Sequence, residues 1–78
     1  MTRETLNKLS ETARLKVENF RKRYSSVSYK GSAREMRMAE EIRMQMASYV
    51  EGLRDAGLIT ERERQVLFVY MTVELREV

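Results

Sequence analysis

Between residues 14 and 37 the chain carries eight Lys or Arg and two Glu, a local net charge of +6. The densest part is Arg14-Leu15-Lys16-Val17-Glu18-Asn19-Phe20-Arg21-Lys22-Arg23-Tyr24, and a serine-rich stretch with Tyr29 and Lys30 follows it. Cationic side chains along a helix neutralise phosphates, and Ser and Tyr hydroxyls add hydrogen bonds to them. Arg14, Lys16, Arg21, Lys22, Arg23 and Lys30 are the candidate phosphate ligands, and Tyr29 is placed to stack on an unpaired base. The opposing reading is a solvated helix face. Arg14 and Arg21 border the apolar stripe on one side, Lys16 and Arg23 on the other, so the charges do not form one patch.

A second chemistry is offered by methionine. Met36, Met38, Met44 and Met46 lie within eleven residues of one another, and flexible thioether chains suit adaptable partner-binding surfaces. Met38 and Met46 fall on a core stripe. Met36 and Met44 fall off it and are the candidate partner surface. Binding a partner protein is therefore the leading functional reading, and nucleic-acid binding through 14–37 is the alternative.

Catalytic chemistry is not expected. The chain has no His and no Cys, so no Ser-His or Cys-His nucleophile can be assembled. The usual zinc ligands are missing for the same reason. The three glycines are isolated and make no phosphate loop. Glu40-Glu41 and Glu61/Glu63 are the notable carboxylates, and they read as cap and surface charges. No enzyme activity, metal or cofactor is expected.

Three helices must position these residues. In the first, at about 2–24, Leu6, Leu9, Ala13, Val17, Phe20 and Tyr24 recur at spacings of three and four and share one stripe. Leu15 faces away. Residues 25–31 hold three serines and a glycine and read as a loop. The second helix, at about 33–56, opens on the capping box Ser32–Glu35. Its stripe is Met38, Ala39, Ile42, Met46, Tyr49, Val50 and Leu53. Gly52 inside it costs about 1 kcal/mol relative to Ala, and close approach of another helix would account for it.

The tightest sequence signal is the turn at 53–63. Gly57 is the expected left-handed residue after the second helix, and Leu58 is placed to fold back onto Leu53 in a Schellman close. Thr60 with Glu63 forms the next capping box and opens the third helix, at about 61–77. So short a connection makes the last two helices an antiparallel hairpin.

The third helix is apolar on nearly every side. Val66, Val69, Tyr70 and Val73 make one face; Leu67, Phe68, Met71, Leu75 and Val78 make another. One helix can cover only one of them, and the expectation is that Phe68, Met71 and Leu75 meet a second copy in a two-fold homodimer. Cover by the first helix is the competing outcome.

At 78 residues with net charge +3, the chain is one all-α domain over 1–78 with a marginal core. Without cysteines, association is the remaining route to added stability. The charge is uneven, net +5 over 1–43 and −2 over 44–78, which points the first half at an acidic partner. No apolar run approaches the roughly 18 residues that cross a membrane, and Met1-Thr2-Arg3-Glu4 lacks the apolar core of a signal peptide. The expected location is the cytoplasm. A short helical hairpin with a basic helix resembles, in architecture alone, many small regulators of bacterial and mobile-element origin.

Overall fold

Ser10 divides the first helical stretch in two. Its hydroxyl accepts the Ala13 N–H at 3.1 Å, and its carbonyl accepts the Arg14 N–H at 2.9 Å. A short side-chain oxygen that takes an orphan amide starts a helix and interrupts whatever precedes it. The single expected helix at 2–24 is thus corrected to α1, Thr2–Lys8, and α2, Glu11–Val27. The computed structural model describes residues 2–27 and 31–73; Tyr29, Lys30, Leu75 and Val78 lie outside them.

The hairpin forms as its capping signals predict. α3 spans Ala33–Asp55 and α4 spans Glu61–Thr72. Between them Gly57 has φ +79°. The Leu58 N–H reaches the Leu53 carbonyl at 3.0 Å and the Gly57 N–H reaches Arg54 at 2.9 Å, the two bonds of a Schellman close. Leu58 itself stays 58% exposed, and Ile59, at 5%, enters the core in its place. The Thr60 hydroxyl accepts the Glu63 N–H at 3.1 Å, and the Glu63 carboxylate accepts the Thr60 N–H at 2.9 Å. The box at Ser32 differs in one bond: Glu35 takes the Ser32 hydroxyl proton, at 2.8 Å. α4 is capped by Val73 in extended backbone, and its expected end near 77 lies outside the described residues.

α4 is the central element and packs against α1, α2 and α3. That is why its sequence is apolar so far round. The core joins Leu9, Ala13, Val17 and Phe20 to Ile42, Met46, Val50 and Leu53, with Ile59, Leu67 and Met71 between. Two expectations fail here. Met38 is exposed, because the buried set Ala39, Ile42, Met46, Val50 and Leu53 centres the contact face about 80° round the helix from it. A Cβ on Gly52 would meet nothing within 4 Å, so no close-packed helix explains that residue. Of the expected self-association face, Met71 has no exposed surface and Phe68 is partly buried against the core, while Leu75 lies outside the described residues.

The break at Ser10 has a packing consequence. α1 leaves the line of α2 and lies against α4, burying Thr5 to 1% and Leu9 to 8% exposure. Lys8 Nζ then stands 2.8 Å from each carboxylate oxygen of Glu63, tying α1 to the start of α4.

Candidate binding surfaces

The cations of α2 separate as their helical positions predict. Arg21 points to α4. Its Nε donates to the Tyr70 carbonyl at 3.1 Å, and its guanidinium lies 4.3 Å from the centre of the Tyr70 ring. Lys16 points to α3, with Nζ 5.7 Å from the centre of the Tyr49 ring. Arg23 lies over Phe20 at 5.8 Å. Arg14, Lys16, Lys22 and Arg23 are exposed. Of the candidate phosphate ligands, Lys16, Lys22 and Arg23 share one side of α2, Arg21 is engaged in packing against α4, and Tyr29 and Lys30 fall outside the described residues.

Two concave surfaces result. The first runs along the outer side of α4, a groove of about 690 Å³ floored by Val66, Val69, Tyr70 and Val73. Arg21 and Arg62 stand at its rim, with Thr2 of α1 and Gln65. Val69 and Val73 are 60% and 49% exposed. This is the α4 face that the hairpin does not cover, because Leu67 and Met71 took the inner side. The Tyr70 hydroxyl is fixed by donating to Glu18 at 2.6 Å. Burial first, and then that bond to a carboxylate, push its pKa up.

The second surface lies between α2 and α3. It consists of two adjoining hollows, of about 310 and 520 Å³, that share Lys16 and Phe20. Asn19, Lys22 and Arg23 line the α2 end; Met44, Gln45, Ser48 and Tyr49 line the α3 end. The Tyr49 ring packs on Phe20 at 5.8 Å between centres, and burial raises its pKa. Of the two methionines picked out as a partner surface, Met44 belongs to this hollow and is 63% exposed; Met36 is similarly exposed but lines neither surface. Sequence reading missed Asn19, Gln45 and Ser48, which carry no motif of their own.

The turn end of the bundle is a closed charge network. Arg54 and Arg64 both reach Glu61 at 2.6 Å, and Lys8 holds Glu63. Hydrogen bonds from Arg64 and Arg54 lower the Glu61 pKa, and those from Lys8 and the Thr60 amide lower that of Glu63. These carboxylates are occupied in holding α1, α3 and α4 together. Among the described residues no helix is long and apolar enough to cross a membrane. No protein-family model, no curated protein and no solved structure matches the chain.

Proposed function

We propose that the protein works by binding, without catalysis, and that its partner is another protein received on the outer strip of α4. The observation that carries this reading is the row Val66, Val69, Tyr70 and Val73, spaced as one helical face and left partly open beside Arg21 and Arg62. Helices that present apolar anchors at such spacings are a common mode of protein recognition. Burying the exposed half of Val69 or Val73 on a partner would gain about 1 kcal/mol each before the cost of association.

A homodimer could use the same strip, since Met71 is buried and Phe68 is packed against the core. A two-fold contact there would bring Arg21 and Arg62 of both copies to one seam, and like charges at a seam oppose pairing. That weighs toward a different protein, one whose apolar side chains are flanked by carboxylates.

The test is a photo-crosslinking amino acid at Val69 in the native host, with Leu15, exposed on α2, as control. A discrete adduct from 69 that is absent from 15, and is lost when Arg21 and Arg62 are both replaced by Glu, is the expected result. Identical adducts from both positions would end this reading. A chain-to-chain adduct, with sedimentation at twice the 9.3 kDa chain mass, would make the occupant a second copy.

A further inference from the structure

The two adjoining hollows, one on α2 and one between α2 and α3, share no lining residue with the α4 groove. Their charged residues are Lys16, Lys22 and Arg23, and no carboxylate lines them. None of the three cations forms an ion pair among the described residues, whereas Lys8, Arg54 and Arg64 at the turn are all neutralised by Glu61 or Glu63. Asn19 stands beside all three, and Gln45 and Ser48 stand across from Lys16 on α3, exposed amides and a hydroxyl able to donate. We propose that this surface binds the phosphodiester backbone of double-stranded nucleic acid, without reading its sequence.

Three features argue for that ligand. Unpaired cations with neutral donors between them match the contacts that protein surfaces make to phosphate oxygens. Lys16 and Arg23 are seven residues apart on one side of α2, about 10 Å along the axis, which covers roughly three phosphates at 3.4 Å of rise per nucleotide. The aromatic rings argue against a single strand. Proteins that hold unpaired bases offer open rings for stacking, but here Tyr49 is covered by Phe20 and Lys16, and Phe20 by Arg23 and the core. Among the described residues the rings of this surface are already packed by neighbours, which favours a duplex, whose backbone charge is denser.

Relative to the basic segment seen in the sequence, the site is both smaller and larger. Arg21 leaves it, because Tyr70 holds it on the opposite flank. Gln45 and Ser48 join it from α3.

The experiment is fluorescence anisotropy of a labelled random-sequence DNA duplex with the full chain, from 50 to 200 mM salt. Three phosphate contacts give a log-log slope of about −2.7, so affinity should fall about 40-fold over that range. K16Q/K22Q/R23Q should weaken binding at 50 mM by about 30-fold or more. R3Q/R37Q/R43Q, which removes equal charge at residues that line neither surface, should change it by less than about 3-fold. Circular dichroism of both variants must match the parent; if the first variant unfolds, K22Q alone, with Lys22 fully at the surface, should flatten the slope by about one contact. No binding at 50 mM, an equal loss in the two triple variants, or tighter binding to the single strand than to its duplex would each overturn the proposal. None of these results bears on the α4 groove.

Discussion

Arg21 and Tyr70 lie 49 residues apart in sequence and hold each other twice, ring under guanidinium at 4.3 Å and Nε to carbonyl at 3.1 Å. The contact fastens the outer face of α4 to α2. Arg21→Ala should destabilise the fold by about 1–2 kcal/mol, the sum of a partly desolvated cation–π contact and a charge-assisted hydrogen bond. Urea unfolding measures it. A loss no larger than that of Arg14→Ala would show that the contact is slack.

Tyr70 and Tyr49 both have pKa values raised above that of a free tyrosine. A raised folded pKa means the unfolded chain gives up its proton first. The stability these groups contribute is complete below the unfolded value near 10 and declines as pH rises from there through the folded values. The denaturation midpoint should therefore fall above pH 10, and Tyr70→Phe should make that fall shallower. An unchanged alkaline limb in Tyr70→Phe would remove Tyr70 from the account.

At the acid end the sign reverses. Glu61 and Glu63 have lowered pKa values, so their contribution is present above the unfolded carboxylate value, about 4.3, and is lost as pH falls through the folded values. Unfolding midpoints should drop below about pH 4.3, and E61Q/E63Q should be less stable at pH 7 with a flatter acid limb. Thr60→Ala, which removes the hydroxyl of the same cap, should cost about 1 kcal/mol at pH 7.

The two glycines near the end of α3 should respond in opposite ways. Gly52 is helical and its Cβ position is open, so Gly52→Ala should stabilise by about 0.5–1 kcal/mol. Gly57 has equal space but φ +79°, so Gly57→Ala should destabilise by about 1 kcal/mol or more. Thermal melts of the pair decide it. A destabilised Gly52→Ala would mean that something does lie against that face.

Met46 and Met44 are two residues apart and oppositely placed, one with no exposed surface and one 63% exposed. Met46→Ala should cost about 2–5 kcal/mol, a large share of what a 78-residue domain has. Met44→Ala should stay within about 0.5 kcal/mol. If Met44→Ala proves as costly as Met46→Ala, the face that α3 turns to the core is not the one that carries Met46.

Local chemistry made much of this molecule readable in advance. Gly57, Thr60 and Glu63 lie within seven residues, and each acts on backbone groups beside it, so the turn and the hairpin followed from the chain alone. Helical period placed Leu9, Ala13, Val17 and Phe20 together, and set Arg21 and Lys16 on opposite flanks of them. Ser10 was not read as a cap: with no Glu at Ala13 it makes only one bond of a box, and an unbroken apolar period runs through it.

What the sequence could not choose was which apolar side of α4 turns inward. Periodicity groups residues into faces and is silent between two faces of similar hydrophobicity. The choice fell to Leu67 and Met71 through packing with helices up to sixty residues away. It left Val69 and Val73 outside and drew Met71, from the surface expected to join two copies, into the core. The same holds for the α2/α3 hollow: Lys16 and Arg23 can be placed on one side by counting, but Gln45, Ser48 and Tyr49 reach them only because the two helices pack, a long-range contact that no local pattern encodes.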